Sequence, residues 1–339
     1  MGLTIKDVAR EAGTSVSTVS KVINGHYSIS EETRQRVLQV IEELDYHPSV
    51  NAQNFARGST RTVLFLADLS PNTAFVNPHM FEILSGLEGA LRKRGYGLAI
   101  QGTDTTAACQ VVEDVLSRRS ADGLVIHASI LSRPLAALLT RSHFPHIVLG
   151  LPNFESQVNW IDINNVYSGV IAAAHILEQG YERTAFIGGR EYDMISSHRL
   201  QGVRQGLESA GRKLEEQYIW QGESNRQEGS RMTRQLLAMR PMPDAIICAN
   251  NHIALGCMTA IQEAGLRVPK DMGVMTFDDY PFSQMTTPEL TVVDIKVRDM
   301  GEQTGRLLVD NIRHPNIQVQ TFTTNPVLIV RGSTQRKKH

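Results

Sequence analysis

The stretch Thr4-Ile5-Lys6-Asp7-Val8-Ala9-Arg10-Glu11-Ala12-Gly13-Thr14-Ser15-Val16-Ser17-Thr18-Val19-Ser20-Lys21-Val22-Ile23-Asn24 decides how the amino-terminal end of this chain folds. Thr4 stands where a helix cap belongs, with Asp7 three residues on, and Ile5, Val8, Ala9 and Ala12 recur at helical spacing on one face. Gly13 ends that helix. Ser15 then caps a second one, in which Val19, Val22 and Ile23 point inward while Ser17, Thr18, Ser20 and Lys21 stay outside. Ser30, with Glu31, Glu32 and Thr33 behind it, opens a third helix, and its Val37, Leu38, Val40, Ile41 and Leu44 are expected to complete a small core. The pattern predicts a helix, a tight turn and a second helix with a short polar leading face, the shape that reads a DNA major groove. Helix-turn-helix geometry also serves as a packing module, and the hydrophobic pattern alone does not separate the two uses.

Charge adds a constraint. Through residue 60 the six bases Lys6, Arg10, Lys21, Arg34, Arg36 and Arg57 face the seven acids Asp7, Glu11, Glu31, Glu32, Glu42, Glu43 and Asp45, a net of minus one. A DNA reader of this composition must segregate charge by face, turning Glu42, Glu43 and Asp45 away and letting helix N-termini share the phosphate contacts.

Outward from this unit, Pro48 to Thr60 is a polar, small-residue stretch that reads as a linker or as one or two helical turns. Beyond it the sequence changes character. At 339 residues the chain is too long for one core, and 41% apolar with 20% charged residues describes ordinary globular lobes. Short apolar runs (Val63 to Leu66, Ala99 and Ile100, Gly123 to His127, His146 to Gly150, Thr184 to Gly188, Ala245 to Ala249, Gly273 to Phe277) alternate with amphipathic stretches such as Met80 to Arg94, Tyr167 to Gln179, Gln201 to Ala210 and Ile253 to Ala264. That alternation predicts parallel sheets covered by helices on both faces, with ligands collecting at the carboxyl ends of the strands.

The order and spacing of these segments resemble the LacI/GalR family of transcriptional regulators through nearly the whole chain. Besides the amino-terminal motif, Gly180 to Gly189 resembles the family's entry into a strand, and Arg199 with Gly202 fits its R-x-x-G signature. Ala249 to Gly256 matches N-D-x-x-A-x-G with Asn251 in place of Asp. Thr276 to Asp279 matches G-[FY]-D-[DN] with Thr in place of Gly, and Pro288-Glu289-Leu290-Thr291 falls where the family has P-x-L-T. The resemblance implies an all-α three-helix headpiece followed by an α/β core of two doubly wound parallel-sheet lobes, like a type I periplasmic binding protein. The expected division is a DNA-binding domain at 1–47, a hinge at 48–60, a first lobe at 61–160 plus 291–322, and a second lobe at 161–290 plus 323–339.

By the same resemblance, Val16, Ser17 and Lys21 touch base edges, and Thr4, Ser15, Thr18, Ser20, Asn24, Ser30 and Thr33 hold phosphates. Many relatives carry Arg where Lys21 stands, and Lys lacks the planar fork that reads guanine bidentately. The hinge helix enters the minor groove, where Phe55 takes the wedge position usually held by Leu, with Asn51 and Gln53 beside it. Arg199, Asn250 and Asp278 are the implied effector contacts, since planar amide, carboxylate and guanidinium groups exchange paired hydrogen bonds with neighbouring hydroxyls. Phe75 is placed either to stack on an apolar ring face or in the core. Departures at Gly150 and Ser224, where relatives present Asp and an aromatic platform, keep the identity of the effector open.

Other signals are weak. Cys109, Cys248 and Cys257 show no C-x-x-C spacing, and His127, His143 and His146 lack partnering ligands, so neither a metal nor a cofactor is expected. No nucleophile motif, phosphate loop or dinucleotide fingerprint occurs, which argues against an enzyme. Without a signal peptide or a membrane-length apolar run, the expectation is a cytoplasmic protein. The expectations thus converge on a homodimeric, ligand-responsive regulator, foremost a repressor, binding a roughly palindromic operator and a sugar-like effector. A regulator controlled by a protein partner and a pure small-molecule binding protein remain as alternatives.

Overall fold

The computed structural model describes residues 3–25, 27–46, 59–69, 78–191, 193–315 and 321–336. The hinge candidates Asn51, Gln53 and Phe55, and Phe75, lie outside these residues.

Three helices, α1 (Ile5–Glu11), α2 (Val16–Ile23) and α3 (Glu31–Glu43), form the headpiece. Their ends are set by the side chains the sequence offers. Thr4 donates from its hydroxyl to Asp7 at 2.7 Å and from its backbone N–H at 3.0 Å. Ser15 accepts from the Thr18 N–H at 3.1 Å and Ser30 from the Thr33 N–H at 3.4 Å. Gly13 takes a left-handed φ of +58°, the conformation that turns α1 into α2 without a Cβ penalty. Val8, Ala9, Ala12, Val19, Val22, Val37 and Val40 make the core. Leu38 does not join it: the face of α3 that packs inward runs through positions 37, 40, 41 and 44, and Leu38, one residue off that face, is 44% exposed.

The remainder forms two lobes of like topology. In the first, β1 (Thr62–Ala67), β2 (Gly97–Gly102), β3 (Gly123–His127), β4 (His146–Leu149), β5 (Trp160–Ile163) and β11 (Thr321–Thr324) lie in the order β2-β1-β3-β4-β5-β11, all parallel. In the second, β6 (Thr184–Gly189), β7 (Ile219–Gly222), β8 (Ala245–Cys248), β9 (Gly273–Phe277), β10 (Thr291–Asp294) and β12 (Val327–Ile329) lie in the order β7-β6-β8-β9-β10-β12, with β12 antiparallel. Strands that sequence reading passed over, β5, β7 and β10 among them, are short and carry polar residues within or beside them. Apart from the exposed edge strand β2, the continuous runs it found are the central, doubly covered strands.

These pairings move all three of the expected lobe boundaries. Trp160–Ile163 pairs with β4 on one side and β11 on the other, both in the first sheet, so the first crossing follows residue 163, not 160. Thr291–Asp294 is hydrogen-bonded to β9, so β10 belongs to the second lobe and the chain returns to the first only afterwards. Thr323 and Thr324 still pair with β5, so the third crossing lies between β11 and β12, after residue 324 and not 322.

Helices α4 (Pro78–Arg92), α5 (Ala108–Arg118), α6 (Arg133–Ser142) and α12 (Val297–Arg313) cover the first sheet. Helices α7 (Asn165–Glu178), α8 (Met194–Ser209), α9 (Arg226–Ala238) and α10 (Asn251–Glu263) cover the second, and the single turn α11 (Pro281–Gln284) follows β9. Three helix pairs touch backbone to backbone. A Cβ on Gly86 of α4 would lie 2.0 Å from the Arg298 carbonyl of α12, and one on Gly301 2.1 Å from that of Ile83. A Cβ on Gly202 of α8 would lie 1.8 Å from the Val166 carbonyl of α7, and one on Gly169 2.2 Å from that of Arg199. On α9 and α10, Gly229 and Gly256 repeat the arrangement at 2.4 and 2.1 Å. No side chain fits at these crossings.

Candidate functional site

The carboxyl ends of both sheets meet at the cleft between the lobes, and the second-lobe wall is built around one buried ion pair. Asp278 follows β9 and Arg199 projects from α8; Nη2 of Arg199 lies 3.0 Å from Oδ1 of Asp278, with the two side chains only 2% and 8% exposed. The rest of the guanidinium is also committed. Nη1 donates to the Ala249 carbonyl at 2.6 Å, Nε donates to Oδ1 of Asn165 at 3.2 Å, and the Phe277 ring lies under the cation at 4.4 Å. A charged pair this far from water is stable only with such satisfaction of its donors. Asp278 itself sits at φ +70°. Its backbone is held there by Asn251, whose Nδ2 donates to the carbonyls of Phe277 at 2.8 Å and Asp278 at 2.9 Å. An ionised Asp has no proton to give to either carbonyl, so the Asn that departs from the family pattern makes two bonds that an Asp would not.

Of the sequence candidates, Arg199 and Asp278 therefore come together, and Asn250 joins them at the carboxyl end of β8. Asn250 caps α10, its Oδ1 accepting from the Ile253 N–H at 3.0 Å, which leaves its amide N–H groups for other partners. Tyr280, two residues beyond Asp278, is 8% exposed, and its hydroxyl has no hydrogen-bond partner among the described residues. Burial pushes that phenol far above its ordinary range, with the charge of Asp278 adding to the effect. Gly150 explains its own departure. At φ +99°, with a Cβ position 2.9 Å from the Ala128 methyl, it has no place for the side chain that relatives present. Ser224 donates to Asp193 at 3.4 Å, and Asp193 caps α8.

The first-lobe wall holds two residues that sequence reading did not assign to the site. His79, in the first turn of α4, lies within electrostatic reach of both Asp278 and Arg199; burial lowers its imidazole below the ordinary value, Asp278 opposing and Arg199 reinforcing the shift. His127 closes β3, and burial, aided by neighbouring His79, pushes it down to about 4. Its Nδ1 accepts from the Ser129 N–H at 3.3 Å, which places the proton of the neutral ring on Nε2. Both rings are neutral at pH 7 and can donate or accept. The available signal was position: His127 ends a central strand, where cleft ligands collect. No group of side chains suited to a metal ion occurs among the described residues.

In the headpiece, Val16, Ser17 and Lys21 are exposed on the leading face of α2, with Val19 and Val22 buried behind them. The hydroxyls of Ser15 and Thr18 face each other at 2.9 Å, as do those of Ser30 and Thr33 at 2.9 Å, at the exposed N-termini of α2 and α3. Thr4 and Asn24 are engaged within the protein as well. Thr4 is tied to Asp7, and Nδ2 of Asn24 donates to the Ser20 carbonyl at 2.8 Å. Among the described residues, no helix is long and apolar enough to cross a membrane.

Comparison with known proteins agrees with this architecture. The family described as bacterial regulatory proteins, lacI family, matches residues 4–49, and the periplasmic binding protein-like domain matches residues 173–334. The ribose operon repressor of Escherichia coli (strain K12) is 31% identical over 333 residues, covering 97% of this chain and 99% of that one. The HTH-type transcriptional repressor PurR of Photobacterium profundum is 29% identical over 336 residues, covering 98% of each. Among solved structures, the lac repressor dimer bound to operator and the anti-inducer ONPF superposes with a TM-score of 0.85 at 23% identity, covering 99% of this chain and 100% of that one. The transcriptional regulator CelR in complex with cellobiose superposes with a TM-score of 0.72 at 29% identity, covering 98% and 100%. The chain is a DNA-binding transcriptional regulator and belongs to the lacI family of bacterial regulatory proteins.

Proposed function

We propose that this regulator is a cytoplasmic repressor that binds a roughly palindromic operator as a homodimer and is released by a small, hydroxyl-rich effector held between the lobes. The observation that carries the effector half of this reading is the facing of Arg199, Asp278, Asn250 and the unpartnered Tyr280 hydroxyl by the neutral His79 and His127. Such a cleft is rich in paired donors and acceptors, suits a neutral polyol, and rejects analogues that leave its buried groups unpaired. The cellobiose complex of CelR and the name of the ribose operon repressor support a sugar of some kind.

At the other end, Val16, Ser17 and Lys21 read base edges, while Ser15, Thr18, Ser20, Ser30 and Thr33 and the N-termini of α2 and α3 hold phosphates. Thr4 and Asn24 act there through the caps they already make. The effector works by population shift: it binds the closed arrangement of lobes better than the open one, and the arrangement sets how two copies present their hinges to DNA. A coupling of about 1–3 kcal/mol suffices for a useful response.

The test is a thermal-shift screen of sugars, sugar phosphates and nucleobases, with each stabilising compound then added to a complex of the protein with operator selected from a random DNA pool. A ligand at about 100 times its Kd should stabilise by about 2.7 kcal/mol and lower operator affinity. Ligands that stabilise the protein but leave operator affinity unchanged would overturn the regulatory reading.

A further inference from the structure

The amino ends of the first-lobe strands, at the pole opposite the cleft, carry a concentration of arginine that nothing above uses. A cavity of about 950 Å³ there is lined by Arg61 before β1, Arg118 and Arg119 before β3, and Arg313 at the end of α12, with Ser59, Thr60, Tyr96 and Asp122 among them. Arg118, Arg119 and Arg313 are exposed, and none of the four forms an ion pair with a carboxylate among the described residues. The one acid in the lining is already engaged. Asp122 accepts from the Thr60 N–H at 2.7 Å, the Thr60 hydroxyl at 2.9 Å and the Arg61 N–H at 3.0 Å, and from the Ser59 hydroxyl as well.

Cations at helix C-termini complement the helix dipole, and Arg118 and Arg313 stand in last turns. That role does not require them to cluster or to lack partners. The second lobe shows the alternative within the same topology: around its corresponding pole Arg183 pairs with Glu182, Arg267 with Asp271, Arg336 with Asp244 and Arg234 with Glu263. In the second lobe Arg212 and Arg240 lack a carboxylate partner among the described residues, and in the first Arg92 pairs with Glu88 and Lys93 with Glu302. The four unpaired arginines of the first lobe differ in converging on one cavity, and only the first lobe receives the chain from the headpiece, through Ser59, Thr60 and Arg61 in this same cavity. The headpiece itself is short of positive charge. Through residue 46 its five bases (Lys6, Arg10, Lys21, Arg34, Arg36) are outnumbered by seven acids (Asp7, Glu11, Glu31, Glu32, Glu42, Glu43, Asp45).

We propose that this pole of the first lobe is a second DNA-facing surface, on which Arg61, Arg118, Arg119 and Arg313 attract backbone phosphates beside the site read by the headpiece. The interaction is independent of sequence. It supplies counterion release that the acidic headpiece cannot, so the effector-binding core contributes directly to affinity while α2 supplies discrimination. This inference rests on the reading of the chain as an operator-binding repressor.

The test measures binding of the full chain to a mixed-sequence duplex and to operator selected by the wild-type protein, across a series of salt concentrations. The variant is R118Q/R119Q/R313Q, with R118K/R119K/R313K as its charge-retaining counterpart. The slope of log K against log salt should become shallower by about 0.9 for each phosphate no longer neutralised, so that a tenfold dilution of salt raises affinity ~8-fold less per phosphate. The change should be equal on both duplexes, leaving the specificity ratio intact, and the lysine variant should keep the wild-type slope.

An unchanged slope in a glutamine variant that melts at the wild-type temperature would overturn the proposal. So would a slope that stays constant while inorganic phosphate stabilises the wild type and not the variant, since the cavity would then be a small-anion site. If the wild type fails to discriminate operator from mixed sequence, the operator reading fails, and the slope on mixed-sequence DNA still decides the role of this pole.

Discussion

Replacing Asp278 by alanine removes one half of an ion pair whose other half cannot leave the interior. Arg199 would keep its bonds to the Ala249 carbonyl and Asn165 and its place over Phe277, but no counter-charge. Removing one partner of a buried pair costs about 3–5 kcal/mol. Alanine at φ +70° adds roughly 1 kcal/mol, because an L-residue without a polar side chain gains nothing in the left-handed region. The expected total of about 4–6 kcal/mol is a large share of the about 5–15 kcal/mol that holds a typical domain folded. Asp278→Asn keeps the shape, an acceptor and a residue tolerant of positive φ, so it should cost distinctly less.

The assay is urea unfolding followed by tryptophan emission, since Trp220 reports on the second lobe and Trp160 on the first. With a slope of about 2 kcal/mol per molar urea, alanine should lower the second-lobe midpoint by about 2–3 M. Adding Arg199→Met to the alanine variant should recover part of that loss, because the stranded charge goes with it. A fall of less than about 0.5 M for alanine, or strictly additive costs in the double variant, would refute the view that the pair is isolated from water. Loss of effector response in Asp278→Ala is therefore informative only beside Asp278→Asn.

Lys21→Ala should lose about 1–3 kcal/mol on operator and flatten discrimination at one base pair; an equal loss on random DNA, read by anisotropy, would reduce Lys21 to a phosphate contact. His127 is neutral in the fold with a pKa near 4, whereas the unfolded chain protonates near 6.5, so stability is full above pH 6.5 and falls as pH drops toward 4. The loss is on the order of 3 kcal/mol at most. His127→Gln should flatten that limb of the pH-melting profile, and an unaltered profile would show that other groups control it. Gly202→Ala forces a methyl onto the Val166 carbonyl and should cost more than about 3 kcal/mol, the upper range for overpacking a core. A melting temperature close to wild type would show that α7 and α8 can part.

The headpiece was legible because each of its instructions is local: a cap, a stop and a face, all within a few residues. Leu38 was misplaced because neighbouring apolar residues on a helix point about 100° apart, and only tertiary packing selects between them. In the core, central strands such as β3, β4, β6, β8 and β9 announced themselves as unbroken apolar runs, while outlying strands such as β5 and the edge strand β7 carry polar residues that read as loops. The site divided in the same way. Arg199, Asn250 and Asp278 stood in recognisable segments of one lobe, whereas His79 and His127 join them only across a cleft, from distant positions in the chain. Asn251 was visible as a departure, but its purpose depends on two carbonyls that only the folded backbone brings to it.

The contact between α7 and α8 has a mechanical meaning. The Arg199 carbonyl rests against the backbone of Gly169, and α7 begins at the first crossing between the lobes. Side chains between helices act as cushions that absorb small displacements by changing rotamer, and at the crossing of Gly169 and Gly202 there are none. A ligand that draws on the Arg199 side chain therefore pulls on a gear tooth: α8 cannot shift without carrying α7, and α7 carries the strand crossing that joins the two lobes.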